Sequence, residues 1–287
     1  MKSLNFNRRI GLFIFKFLVI ATVVFTLFLG LSQLKKKGDK IPFLKSFNYE
    51  ILFLIDNIEG IGIVAGLLAF ILNLPEQQKK SHYEAWQVIN SGQSQRGSGG
   101  RIQALEDLVR DGVSLDGVVV SDAYLKGIKL SGAILHFANL EASRLDKSDL
   151  DDTKLIKANL KKAYLYKANL SGANLTKANL TEANLTEAKF NSAILNNANL
   201  SYAKLNATDL SNANLICALL INADLNGATL DGADLDGAMF WDKESGREAQ
   251  NITAVLIKQA KNWQKAIYSP EFREKLGLPS EAEQKHT

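Results

Sequence analysis

One cysteine, Cys217, and three histidines, His82, His136 and His286, are the only thiol and imidazole groups in this 287-residue chain. A single cysteine excludes an internal disulfide framework and a cysteine-based metal cluster. The histidines fall in three different regions, which leaves neither a His/Cys metal site nor a Cys–His nucleophile pair. No P-loop and no GxGxxG motif occurs. Charge of one sign is also scarce: the net charge is +4 and comes from the termini, because 113–240 holds 14 acids and 12 bases, a net of −2. These absences argue against an enzyme, a bound metal or a cofactor.

What the chain has instead is a five-residue period. Reading every fifth residue from Leu115 to Phe240 samples 26 positions, and 23 are Leu; the exceptions are Val120, Phe190 and Phe240. Two residues before each stands Ala in nineteen cases, and otherwise Val113, Val118, Ile128, Ser143, Ser148, Thr153 or Thr208. The residue just before the Leu is often Asn, as at Asn159, Asn169, Asn174, Asn179 and Asn184. An α-helix would place successive Leu about 140° apart, and a flat strand would alternate them between faces. A chain that turns at a fixed point in every five residues keeps Leu and the small residue inside and sends the other three out. Internal repeats of this regularity signify stacked coils, with backbone pairing at ~4.8 Å between them. Cys217 then points outward as a free thiol.

The run Ala168-Asn169-Leu170-Ser171-Gly172-Ala173-Asn174-Leu175-Thr176-Lys177 resembles the pentapeptide-repeat consensus A(D/N)LXX, and the resemblance covers 113–240. It implies a β-solenoid: a right-handed, four-sided (quadrilateral) β-helix with four pentapeptides per coil. Twenty-six repeats then make about six and a half coils, a rod ~30 Å long. The ending KNWQKAIYSPEFREKLGLP, with the linker and flanking helices, also resembles pentapeptide-repeat proteins common in cyanobacteria.

Residues 1–75 are expected to be a membrane anchor. Segment 10–31 has one charge, Lys16, over 22 residues, long enough at ~1.5 Å per residue to cross a bilayer. Its length and the lack of an A-x-A-like site argue against a cleaved signal peptide. Segment 51–74, ending at Pro75, is a weaker second transmembrane helix, interrupted by Asp56 and Glu59 and cleanly apolar only over 61–72. Asp56 and Glu59 share a helical face, so a proton or cation path is conceivable; a place near the headgroups is the plainer reading. Gly62 and Gly66 form a GxxxG pair that could pack against the first span or a second subunit. Lysines and arginines balance on the two sides, so orientation leans only weakly towards a cytoplasmic rod.

Segment 77–89 is expected as a short juxtamembrane helix, and Ser91 to Gly100 as a flexible linker by composition, together covering 76–100. Segment 101–112 reads as a capping helix, with Ile102, Leu105, Leu108 and Val109 at helical spacing and Gly112 at its end. Segment 241–287 should cap the far end. Ile252, Val255, Leu256, Ala260, Trp263 and Ile267 form one helical stripe, expected beneath Phe240 and Trp241. A second short helix should start at Ser269-Pro270 and stop at Gly277.

The outer surface is banded. Between Asp152 and Glu182 stand Lys154, Lys157, Lys161, Lys162, Lys167 and Lys177 and no acid. Positions twenty apart share a face, so Lys157 and Lys177 line one and Lys147 and Lys167 the opposite one. The band is a candidate contact for an acidic partner, anionic lipid or nucleic acid. The expected function is a membrane-tethered, non-catalytic scaffold that contacts the lipid bilayer through its N-terminal helices and recruits a protein. Self-association into a homo-oligomer stays open, and no nucleic acid is expected. Two alternatives are a DNA-mimic binder of a nucleic-acid enzyme such as gyrase, which the family includes, and an accessory subunit of a transporter using Asp56 or Glu59. Mimicry needs a dense negative surface, which a net of −2 does not supply.

Overall fold

The local conformation of each repeat follows from a β-turn. In the computed structural model, which describes residues 58–91 and 100–279, the amide of the small residue donates to the carbonyl of the preceding Leu. Ala173 N to Leu170 O, at 3.1 Å, is one instance. A turn that keeps this bond and swings the chain by a quarter circle needs positive φ at its third residue, the type II geometry. From Gly117 to Gly237 every fifth residue has it, with φ between 53° and 74°. Seven of these are Gly and eighteen are not, several of them Lys or Glu. At Gly172 a Cβ would meet the carboxylate of exposed Asp152, which would have to swing aside.

Four turns close a coil of twenty residues. Every bridge from Val119↔Asn139 to Leu219↔Met239 is parallel and links positions twenty apart. Each coil bonds to both neighbours: Leu170 N donates to Lys189 O at 2.7 Å, and Asn169 N to Ser148 O at 2.9 Å. A solenoid thereby satisfies the backbone of every inner coil and leaves only two edges. Inside, the Leu positions from Leu115 to Phe240 and the Ala positions between them are buried in one continuous core. Of the four buried hydroxyls at the small position, Ser143 donates to Leu140 O at 2.7 Å, Thr153 to Leu150 O at 2.6 Å and Thr208 to Leu185 O of the preceding coil at 2.8 Å, while Ser148 Oγ has no hydrogen-bond partner.

Where Asn precedes the Leu, it has a specific task. Its Oδ1 accepts the amide two residues on, at the start of the turn, as Asn159 does from Lys161 at 3.1 Å and Asn174 from Thr176 at 3.1 Å. These Asx turns pre-form the bend that the repeat requires. On one side Asn159 also donates to Asn139 at 3.2 Å and Asn179 to Asn159 at 3.4 Å, a short ladder along the rod.

The chain divides into two compact units, 1–74 and 75–287, each described by itself. Helix α1, Ile58–Ser91, begins in the first and ends in the second. The expected break at Pro75 and the separate helix at 77–89 are therefore corrected to one helix that continues through Pro75. Among the described residues no helix is long and apolar enough to cross a membrane; the clean apolar stretch 61–72 reaches only about 18 Å. Segment 10–31, Asp56 and residues 92–99 lie outside the described residues, as does the side chain of Glu59.

At the near end of the rod, Ile89 of α1 is fully buried in the same core as Leu105 and Leu108 of α2, Arg101–Arg110. The stretch expected as a juxtamembrane helix thus docks on the cap. His82 Nε2 lies 2.8 Å from Asp111 Oδ2, joining α1 to the end of α2. Helix α2 ends as expected, with Gly112 at φ 73° and Val113 N bonded to Leu108 O. Glu106 Oε1 accepts the Lys129 amide at 2.8 Å, so a side chain satisfies an edge donor that no further coil reaches.

The far end corrects the single helical stripe. Ile252 to Ile267 is not one helix but an irregular closing coil. Gln250, Lys261 and Ile267 bridge in parallel to Asp224, Asp234 and Met239. Between them lie α3, Ala254–Lys258, and a 3-10 turn, Trp263–Lys265. Before them β1, Trp241–Asp242, pairs antiparallel with β2, Arg247–Glu248, in a hairpin that leaves Trp241 half-buried. Three unpaired sides of the last coil offered backbone partners, and pairing with them overrode the helical spacing of the side chains. Tyr268 is buried and stacks on Phe240 at 5.4 Å. Helix α4, Pro270–Leu276, matches expectation: Ser269 Oγ accepts from Phe272 N at 3.2 Å, and Gly277 closes it at φ 76°.

Candidate interaction surface on the rod

The twenty-residue coil sorts the outward residues onto four sides. Side I carries the repeats ending in 113–117, 133–137, 153–157 and so on in steps of twenty; sides II, III and IV follow in steps of five. The positive-φ residues stand at the corners. The six lysines of the band therefore do not form one patch. Lys154, Lys157 and Lys177 belong to side I, Lys161 and Lys162 to side II, and Lys167 to side III. Lys157 and Lys177 share a corner column, and Lys147 and Lys167 share the one diagonally opposite.

Two of the six are neutralised by the next coil. Lys162 pairs with Glu182 at 3.6 Å and Lys167 with Glu187 at 3.1 Å, in each case twenty residues on. Tyr166 also donates to Glu187 at 3.0 Å. Hydrogen bonding to Tyr166 and then to Glu187 raises the Lys167 pKa above its ordinary value, and the bond from Lys167 lowers that of Glu187. Both groups are exposed, so the pair adds little to stability. Lys154, Lys161 and Lys177 form no ion pair among the described residues, and Lys157 Nζ sits 5.4 Å from the centre of the Phe137 ring.

Side III holds a feature that residue-by-residue reading missed. Tyr124, Arg144 and Tyr164 bridge in succession, and the Arg144 guanidinium lies 6.0 Å from the Tyr124 ring centre and 5.2 Å from that of Tyr164. Asp146 Oδ2, 3.3 Å from Arg144 Nε, anchors the stack from the side. The spacing of twenty was the signal, legible only once the chain is folded onto its coil. Nearer the end, Arg247 of the hairpin donates to the Tyr202 hydroxyl and covers its ring at 5.4 Å.

Side IV is the acidic one, with Asp149, Asp151, Asp152, Asp209 and Asp231 against Lys129 and Lys189. A net of three negative charges over ~25 Å of rod compares with about fifteen on the same length of duplex DNA. Asp209 is typical of how these acids are held. Burial raises its pKa, but hydrogen bonds from Ser211 and Thr229 outweigh that and bring it below the ordinary value. Asp224, on side III, is lowered in the same way by Asn206, Asn251 and the Asn226 amide. No cluster of His, Cys, Asp and Glu among the described residues has the geometry to hold a metal ion. Cys217 is exposed, at the corner of side I.

This geometry fits what comparison with known proteins finds. Eight copies of the profile for pentapeptide repeats match within 111–145, 133–172, 143–181, 163–201 and 203–242. The chain belongs to the pentapeptide-repeat family. HetL of the cyanobacterium Nostoc, a pentapeptide-repeat protein involved in heterocyst differentiation regulation, is 33% identical over 45% of this chain and 72% of its own, with a TM-score of 0.24. Rfr23 of the cyanobacterium Cyanothece is 31% identical over 37% of this chain and 64% of its own, with a TM-score of 0.24. QnrB1, a plasmid-mediated fluoroquinolone resistance protein, is 21% identical over 57% of this chain and 90% of its own, with a TM-score of 0.41. No curated protein matches the chain. Family membership implies the right-handed β-helix solenoid, and the parallel twenty-residue ladder is the signature of such stacking.

Proposed function

We propose that this pentapeptide-repeat protein is a non-catalytic, membrane-tethered scaffold that recruits a protein partner onto the sides of its rod, with the rod on the cytoplasmic face. The observation that carries the reading is the division of labour within each repeat. The inward positions and the backbone are committed to the core and the ladder, while the outward positions differ from side to side in charge and aromatic content. Such a body offers chemically distinct surfaces on which a partner can be held. The tether rests on 10–31, whose 22 residues carry a single charge. The Tyr124–Arg144–Tyr164 stack is the strongest protein-binding feature, since Tyr and Arg supply most binding energy at protein interfaces.

Two measurements on the full chain test this reading. Extraction of membranes at alkaline pH should leave the chain in the pellet; its release would remove the tether. Cross-linking in intact cells should then join one stoichiometric partner to the rod, and Arg144→Ala should weaken that product by at least tenfold. A product unaffected by changes on every side would contradict recruitment by the rod.

A further inference from the structure

Side I differs from the other three in one respect. Between residues 133 and 217 it carries no Asp or Glu, whereas sides II, III and IV each carry acids in the same coils. Its three lysines, Lys154, Lys157 and Lys177, are exposed and without an ion pair among the described residues, unlike Lys162 and Lys167. Apolar groups stand between them. Phe137 is 62% exposed and Ile194 38%, with Ile134, Ile156 and Ile216 half-buried along the same side. Lys157 lies against the Phe137 ring, so its aliphatic stem and the ring form one amphipathic unit with the amine at the rim.

From this arrangement we propose that side I lies against a bilayer surface rich in anionic lipid, taking its phosphate headgroups with Lys154, Lys157 and Lys177 and seating Phe137 among them. The inference rests on the tether proposed above. Diffuse, unpaired positive charge with interleaved aromatic and aliphatic groups suits a fluid anionic surface, where no fixed partner atoms are needed. A protein hot spot would instead gather its anchors in one desolvated pocket; Phe137 and Ile194 stand about three coils, roughly 14 Å, apart. Three lysines at such a surface favour contact on the order of a hundredfold. That is weak for a free protein and sufficient for one whose anchor already holds it at the membrane. Side III, opposite side I across the coil, would face away, and the acidic side IV would stand at right angles to the bilayer.

The native Cys217, at the corner of side I, reports the contact without any engineered label site. The full chain would be reconstituted into vesicles of phosphatidylcholine alone and of phosphatidylcholine mixed with phosphatidylglycerol, and the rate of maleimide labelling at Cys217 measured in each. Labelling should slow several-fold in the anionic vesicles, and recover in high salt or in the variant Lys154→Glu/Lys157→Glu/Lys177→Glu. The corresponding triple Gln variant, with its fold checked by circular dichroism, should recover part of the rate. Equal rates in the two lipids would overturn the proposal and assign side I to a protein partner; slowing that survives charge reversal would overturn it too. The tether is read separately, by co-sedimentation with the neutral vesicles: loss there defeats the anchor, whereas retention with equal labelling defeats only the role of side I.

Discussion

Within the rod, Leu170 N reaches Lys189 O nineteen residues on, through repeats that all turn alike. At the far end, Phe240 N reaches Ile267 O across twenty-seven residues that contain a hairpin, a short helix and a 3-10 turn. Both segments make the same parallel ladder, yet only the first has a periodic sequence. The rod's turn is written into the repeats: a positive-φ residue completes it, a small side chain clears the interior, and where Asn or Asp precedes the Leu an Asx bond starts it. In the closing coil the open edge of the last repeat acts as template, and the bridges at Gln250, Lys261 and Ile267 are set by where backbone partners remained. Repetition specifies the interior of a solenoid, whereas its end is specified by what the last coil leaves unpaired.

The comparison breaks most visibly where each region concentrates its packing. Tyr268→Ala removes the ring stacked on Phe240 and tilted against Phe272, and should cost about 3–5 kcal/mol. Hydrogen exchange should show the loss confined to 240–279, with amides in 160–200 still protected, because repeat proteins come apart locally. Leu175→Ala, in the middle of the rod, should cost about 2–5 kcal/mol. It should lower protection in the coils on both sides of it, which thermal unfolding and exchange together would register.

Smaller changes sharpen the contrast. Lys157 holds φ 58° in a corner where Gly stands in seven other repeats. Lys157→Gly should therefore stabilise the rod by about 0.5–1 kcal/mol, visible as a raised melting temperature. The opposite sign would mean that the ladder already removes the strain. The smallest effect is acid sensitivity. Asp209 and Asp224 have folded-state pKa values below the ordinary carboxylate value, so their stabilisation is present above the unfolded pKa of about 3.9 and is lost as pH falls through the folded values. Melting should fall as the pH drops below about 4, and Asp209→Asn/Asp224→Asn should flatten that slope. An unchanged slope would place the acid-sensitive groups elsewhere.

Much of the fold was legible because Leu and Ala recur without a single insertion from 113 to 240. That fixes inside and outside, the sharing of a column by Lys157 and Lys177, and the outward Cys217. The Ser269 cap and the Gly277 stop were legible for local reasons. The closing coil was not, since the spacing of Ile252, Leu256 and Trp263 suits a helix and nothing in the side chains announces backbone pairing at Lys261. The docking of Ile89, the His82–Asp111 contact and the Glu106 bond to Lys129 depend on groups brought together from different segments. Of the candidate surface, the lysines were visible as a band, but their division among three sides and the Glu182 and Glu187 pairing needed the coil. Fully buried Arg101, whose pKa burial lowers, went unnoticed within a helix read only for its apolar spacing.

Every assignment of a residue to a side depends on the register of twenty, and one measurement tests it directly. A Cβ placed at Gly237 would lie 3.2 Å from Cys217 Sγ. On mild oxidation, Gly237→Cys should therefore close an intramolecular disulfide with Cys217, read as loss of both free thiols in the monomer. Gly232→Cys, one side away, should leave its thiol free. A disulfide in the second variant, or none in the first, would contradict the twenty-residue coil and with it the division of the rod into four distinct sides.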